Sequence, residues 1–427
     1  MALRSSIRRQ FAIPSEPSFR RLLAGRATSF LGDGLFTVAV MWLTFELTGS
    51  TTYTGLAGFL LRAPNALKLL AGPLVDRSQL DRVLIGSELL GAVLSLAVPL
   101  AALSGRLSVW VVLGVLPFIA LTELFAAPAQ TAALPRILDR ESLVRANSAY
   151  SVVTGVVDAG AQALGGALVA AIGAVALYAV DAATYAVAAV LFLGLTIPAA
   201  GEASGGEESE SDDENDTLDL ATYRRELREG IAVLTGSVLG LMLLASLLAN
   251  FLTSAAFAVL PAYAATLSGA ASYGLLLGAT TAGAIAGSLL APVVEDRPLG
   301  VTNAAGLLLA GVLWVAGVEL GGVAVTAALF AASRVPVGIY NVGVQATMQT
   351  GVPDDRLGRV TAAVSSLSNV VGPLGLLLGG VAGEALGASA VLLGGGVGIA
   401  ATGLLWASLP SLRRFEPPTR VESGAFG

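Results

Sequence analysis

Five ionisable residues, Asp33, Arg62, Glu123, Asp158 and Arg334, stand inside long apolar runs of this 427-residue chain. A charged side chain at the centre of a bilayer costs about 2.5–3.5 kcal/mol on insertion scales, so such a group is expected to be paired or to line water. One chemistry open to a carboxylate there is proton exchange: desolvation favours its neutral form, and a change of surroundings releases the proton again. The plainer alternative is structural pairing, Arg26 with Asp33, Lys68 with Glu88 and Arg62 with Asp158. Long side chains near the ends of a run can also snorkel to water.

A second charged set lies between apolar runs rather than within them. The stretch "AGPLVDRSQLDR" carries Gly72, Asp76, Arg77 and Arg82, and Asp76-Arg77 is echoed by Asp296-Arg297 in "VEDR". Another short charged connection, "VPDDRLGRV", holds Arg359. Most other chemistry is excluded by composition. The chain has no cysteine and no histidine, which removes thiol nucleophiles, structural zinc, His- or Cys-ligated haem and Ser-His-Asp hydrolysis. No phosphate loop or paired-aspartate protease motif is present. "GVGIAA" at 396–401 fits a dinucleotide fingerprint formally, but it lies in an apolar span without a preceding strand and reads as helix packing. No catalytic residue, cofactor or metal site is therefore expected. The chain is read as no enzyme and no binder of nucleic acid.

The elements that would position these residues follow from composition. Hydrophobic residues make up 55% and charged residues 13%, with a mean hydropathy of +0.78. A soluble domain is about 25% charged, so this chain has too little polar surface to face water all round. At about 20 residues per span, the apolar runs make roughly twelve transmembrane helices, near 22–48, 53–75, 83–104, 107–131, 148–171, 174–197, 237–263, 272–294, 301–320, 322–348, 358–383 and 386–409. The net charge of −6 is local in origin: nine acids between Glu202 and Asp219 stand without a base among them, leaving 24 bases against 21 acids elsewhere. That run reads as a solvated tether. With both termini cytoplasmic, only Arg106 falls in an outer loop, while Arg26, Arg62, Lys68 and Arg334 lie within spans. The other nineteen bases face inward, a strong positive-inside pattern. In this frame Asp33 and Glu123 fall in the cytoplasmic half, Arg62, Asp158 and Arg334 near mid-depth, and Lys68, Glu88 and Asp181 nearer the interfaces.

The two halves repeat. Gly49, Tyr53, Asp76 and Arg77 recur as Gly269, Tyr273, Asp296 and Arg297 at an offset of 220, and Gly165-Gly166 recurs as Gly379-Gly380 at an offset of 214. Tandem six-helix units related by an axis along the membrane normal are a transporter plan, with a site near the midplane. The expected organisation is a cytoplasmic segment 1–21, a bundle 22–197, an acidic linker with an amphipathic stretch 198–236, a second bundle 237–410 and a tail 411–427.

The stretches "FRRLLAGRATSFLGDGLFTVAVMWLTFELTGS", "AGPLVDRSQLDRVLI", "PAQTAALPRILDRESLVRANS" and "VPDDRLGRV" together resemble the major facilitator superfamily over essentially the full chain. They are most similar to its drug, macrolide and siderophore exporters. The sequence departs from that pattern at "SQLD" within the loop motif, at Gln162 in "AQALGG", where the antiporter motif has proline, and at Glu123, where drug antiporters often carry arginine. An Arg-x-x-x-Gly spacing occurs instead at Arg334 to Gly338.

The resemblance implies an all-α polytopic fold of two pseudo-symmetric six-helix bundles, multi-pass in the plasma membrane and monomeric. It implies secondary active efflux of an amphipathic small molecule coupled to H⁺ or Na⁺. Asp33 and Glu123 would carry the protons, and Arg334 would handle anionic charge or reset the carboxylates, with Arg62 and Asp158 beside them in the cavity. Gly72, Asp76, Arg77, Arg82, Asp296, Arg297 and Arg359 would form a cytoplasmic gate, in which an aspartate gains from a helix N-terminus and a nearby arginine. Trp42, Trp110, Trp314 and Tyr340 serve as substrate contacts or, more commonly, as interface anchors or core. Metabolite uptake, and a receptor or assembly factor on the same fold, are the alternatives.

Overall fold

A computed structural model of the protein describes residues 16–67, 78–198 and 237–417. Among these residues every regular element is helical: α1 (Pro17–Thr48), α2 (Thr51–Arg62) running into a 3₁₀ turn (Ala63–Leu67), α3 (Leu80–Leu103), α4 (Val109–Ile137), α5 (Arg140–Ile172) and α6 (Ala174–Phe192). Then follow α7 (Val238–Leu267), α8 (Ala270–Leu290) with a 3₁₀ turn (Ala291–Val294), α9 (Leu299–Leu320), α10 (Val323–Gly351), α11 (Asp354–Leu386), α12 (Ala388–Ser408) and a terminal turn α13 (Pro410–Arg413). Eleven of these are long and apolar enough to cross a membrane. The span expected at 53–75 is described only in its first part, as the 12-residue α2 and its 3₁₀ turn.

An apolar segment without water must satisfy its own backbone donors and acceptors, so each run becomes a helix. The faces then sort in the membrane sense. On α3, Leu89, Val93, Leu96 and Leu100 are exposed at helical spacing, fitting a lipid-facing stripe, whereas Leu84, Glu88 and Ser95 are buried. Glu88 and Ser95 are thus on its protein side.

The described residues divide into two compact units, one drawn from Met1–Val40 and Pro64–Leu218, the other from Met41–Ala63 and Asp219–Gly427. In the first, α3 packs on α4 and α6; in the second, α9 packs on α10 and α12, the same partners six helices later. The connections repeat too. Left-handed glycines end paired elements at Gly49 and Gly269 (φ 64° and 77°), Gly105 and Gly321 (68° and 67°), and Gly173 and Gly387 (85° and 87°). Only glycine takes that conformation freely. Gly165 of α5 lies against Val38 of α1, and its counterpart Gly379 of α11 lies against Ala255 of α7.

Residues 41–63 belong to the second unit through a close seam with α11. Gly55 and Gly380 bring the two backbones together, and a Cβ at Gly55 would sit 2.9 Å from Gly380 Cα. At the head of α2, Ser50 makes no side-chain cap of its own. Glu384 of α11 supplies one: its Oε2 accepts from Ser50 Oγ at 2.7 Å and from the Thr51 backbone N–H at 3.1 Å. A carboxylate there satisfies donors that the helix leaves open and complements its dipole. Trp42 stacks on Tyr273 in the same unit, with ring centroids 5.9 Å apart.

Candidate functional site

The first unit gathers its ionisable groups on facing helices. Arg26, Ser29 and Asp33 follow one another at i, i+3 and i+7 of α1 and so share a face. Opposite them stand Glu88 and Ser95 of α3, Glu123 of α4, and Asp181 and Tyr185 of α6. Arg26 is wholly buried and donates to two carboxylates, through Nη1 to Glu88 Oε1 at 3.3 Å and through Nη2 to Glu123 Oε1 at 2.5 Å. Ser29 Oγ donates to the other oxygen of Glu88 at 2.6 Å, and the guanidinium lies 4.9 Å over the Phe30 ring.

Two turns along α1, Tyr185 OH donates to Asp33 Oδ1 at 2.6 Å. Ser95 Oγ donates to Asp181 Oδ2 at 2.7 Å, while Asp181 Oδ1 is buried without a partner. The approach of the helices here depends on the glycines that flank Asp33. A Cβ at Gly32 would fall on Thr184 and Asp181 of α6, and one at Gly34 would sit 2.6 Å from Ala161 Cβ of α5 and 3.2 Å from Asp158 Oδ1. Asp158 itself accepts from Gln162 Nε2 at 2.9 Å, one turn along α5.

The sequence expectation of an Arg26–Asp33 pair is corrected by this geometry. Seven residues of helix rise about 10.5 Å, too far for an ion pair on one helix, so Arg26 turns across to α3 and α4. Within the first unit Asp158 accepts from Gln162; Arg62 belongs to the second unit. Glu88 is held by Arg26 and Ser29, and its expected partner Lys68 lies outside the described residues. Glu88 and Asp181 are buried members of the network. Asp33, Glu123 and Asp158 remain partly exposed. The set thus offers four carboxylates, Asp33, Glu88, Glu123 and Asp181, against a single guanidinium.

In the second unit, a cavity of about 390 Å³ opens among α7, α10 and α11, with Arg62 of α2 in its wall. Arg334 of α10 projects a guanidinium into it, and Asn341 and Gln345 follow at i+7 and i+11 on the same face. Across from them α7 presents Ser246, Asn250 and Thr253. Arg334 Nη1 donates to Thr253 Oγ1 at 3.3 Å. Gly338, four residues after Arg334, is a packing residue: its place lies against Ala284 and Gly287 of α8.

The gate residues are less fully placed. Gly72, Asp76 and Arg77 lie outside the described residues. Arg82 is exposed in the first turn of α3, Asp296 and Arg297 are exposed just beyond the 3₁₀ turn before α9, and Arg359 is exposed in the second turn of α11. The aromatics divide. Trp314 is core, stacked on Phe330 at 3.9 Å with Nε1 donating to Leu392 O; Tyr340 is buried between Ser246 and Met242 O; Trp110 is 66% exposed, as an interface anchor would be. Sequence reasoning passed over Ser29, Ser95, Tyr185, Gly32 and Gly34. The spacing of Arg26, Ser29 and Asp33 and the triplet "GDG" were the signals available.

The sequence profile of the Major Facilitator Superfamily matches residues 22–376. Over 404 residues the chain is 28% identical to the Multidrug efflux pump Tap of Mycobacterium tuberculosis, covering 90% of this chain and 91% of the pump. Over 217 residues it is 26% identical to the Macrolide efflux protein A of Streptococcus pyogenes, about half of each chain. Among solved structures, a bacterial homolog of the human lysosomal transporter Spinster, in an inward-facing and occupied conformation, superposes with a TM-score of 0.69 at 15% identity, covering 95% of this chain and all of that one. A bacterial homologue of the iron transporter ferroportin gives 0.64 at 16% identity, covering 92% and 98%. At these identities the two structures establish a shared fold.

Proposed function

We propose that this chain, which belongs to the Major Facilitator Superfamily and is a multi-pass membrane transporter rather than an enzyme, exports an amphipathic small molecule across the cell membrane by exchange for protons. The observation that carries the proposal is the excess of carboxylates over guanidinium in the first unit, where Arg26 serves two acids and Asp33 and Asp181 hold only hydroxyl donors. Buried charge in a membrane protein is costly unless it is used. The names of the similar chains, a multidrug efflux pump and a macrolide efflux protein, support export as the direction.

In this mechanism Asp33 and Glu123, the partly exposed members, exchange protons with water as access alternates. Glu88 and Arg26 hold Glu123 in place, and Tyr185 holds Asp33. Asp158 lines the same unit beside Gly34. The connection containing Gly72, Asp76, Arg77 and Arg82, with Asp296, Arg297 and Arg359, acts as the cytoplasmic gate; this part of the proposal rests on the sequence. The protein works as a monomer.

The test is accumulation of a fluorescent amphipathic dye in an efflux-deficient host, with and without a protonophore, followed by pH-driven transport in proteoliposomes. The wild-type chain lowers accumulation, and the protonophore abolishes the effect. Asp33→Asn and Glu123→Gln each abolish transport driven by a pH gradient. Full pH-driven transport in both variants would remove the proton-coupling assignment, and transport that follows a sodium gradient instead would replace the coupling ion.

A further inference from the structure

The second unit poses the opposite problem to the first: a cation without an acid. Arg334 has no ion pair among the described residues. Its hydrogen bond to Thr253 is long, at 3.3 Å, and its Nε is buried with no partner at all. Among the described residues no aspartate or glutamate lines the cavity into which it points. A buried guanidinium left without its counter-ion and hydrogen bonds is costly, and its planar fork is suited to a carboxylate or phosphate.

The surroundings complete a site for such a group. Asn341 and Gln345 stand on the same face of α10, and Asn250 faces them from α7. Asn250 accepts from Ser254 through Oδ1, so its amide N–H group is what it has left to offer. Phe257 and Met348 supply apolar wall, and the cavity falls within the range of about 300–1,000 Å³ that small organic ligands occupy.

We infer that this cavity binds an amphipathic organic anion, its carboxylate or other oxyanion held by Arg334 and the neighbouring amides and its apolar body against Phe257 and Met348. The inference deepens the proposed function by naming the chemical class of the cargo, and it rests on that reading only for the claim that the bound anion is carried. The missing counter-charge of the site is then delivered by the ligand.

Equilibrium binding with no ion gradient tests this separately from proton coupling. The probes are 1-pyrenebutyrate and its neutral amide, measured by fluorescence on purified full-length protein in nanodiscs of phosphatidylcholine at pH 7. A charged hydrogen-bonding partner predicts that the acid binds about tenfold or more tightly than the amide. Arg334→Gln brings the two probes to equal affinity, the loss of a charge preference that a merely structural arginine would not carry. Equal affinities in the wild-type protein, or a preference that survives Arg334→Gln, overturns the inference. Repeating the titration in nanodiscs of phosphatidylglycerol, at about 0.5 M salt so that the anionic surface does not itself repel the acid, separates the sources of the oxyanion. Retained acid binding supports a small-molecule site, whereas loss of acid binding there identifies a lipid phosphate as the occupant and overturns it. Failure of pH-driven transport leaves these affinities untouched, so the two readings fall independently.

Discussion

Removing the charge of Arg26 alone should destabilise the first unit more than removing the whole ionic network. In Arg26→Met, Glu88 keeps only Ser29 Oγ as a partner, in a site where 2% of its side chain is exposed, and Glu123, about one-third exposed, loses its contact at 2.5 Å. Breaking a buried pair by deleting one partner costs about 3–5 kcal/mol, because the other charge is left uncompensated. For a unit of this size each kcal/mol moves the unfolding midpoint by about 2–4 °C, so the expected fall is roughly 6–20 °C. The assay is thermal unfolding of purified protein in one detergent, read by the fraction that remains monodisperse on size exclusion. The triple variant Arg26→Met, Glu88→Gln, Glu123→Gln removes both signs of charge together and should recover most of the loss, since uncharged side chains of similar volume replace buried ion pairs at little cost. A single variant within about 2 °C of wild type, on the same scale, would refute the reasoning. So would a triple variant no more stable than the single one.

The α2–α11 seam makes a second expectation: Glu384→Ala removes the borrowed cap of α2 and costs about 1 kcal/mol, and Gly380→Val, which presses on the backbone of Thr51 and Gly55, costs about 1–3 kcal/mol. Gly394→Val, where a Cβ would meet open space, is the control, and equal melting of the two valine variants would contradict the seam. Trp314→Ala should cost about 3–5 kcal/mol by emptying a packed core position while leaving the KM for any transported dye unchanged; a selective change in KM at normal stability would return Trp314 to the substrate site. Asp76→Asn should shift the balance of inward- and outward-facing states in spin-label distance measurements and reduce transport, and the gate reading fails if both stay at wild-type values.

Much of the architecture was legible because a bilayer makes helix formation a local decision. About 20 apolar residues span the hydrocarbon and must satisfy their own backbone, so some runs announced their helices to within a few residues, as at 83–104 against Leu80–Leu103 or 386–409 against Ala388–Ser408, whereas 148–171 missed the polar first turns of Arg140–Ile172. The duplication was equally readable, because glycines such as Gly49 and Gly269 are fixed by backbone geometry that few other residues can adopt.

Pairing was not legible, because it depends on how each helix is rotated and how near its neighbour stands. Sequence proximity suggested Arg26 with Asp33. The fold instead brings Glu88 and Glu123 across to Arg26 and gives Asp33 to Tyr185, 152 residues away. Gly32 and Gly34 admit α6 and α5 to contact with α1, yet glycines that permit close approach look in sequence like any of the 51 in the chain. The sequence by itself determined that charges must be accommodated inside a duplicated helical membrane protein. Only the tertiary structure decided which were paired, around Arg26, and which, at Arg334, were left among the described residues with no partner of opposite sign, because an ion pair is a matter of a few ångströms between side chains on different helices.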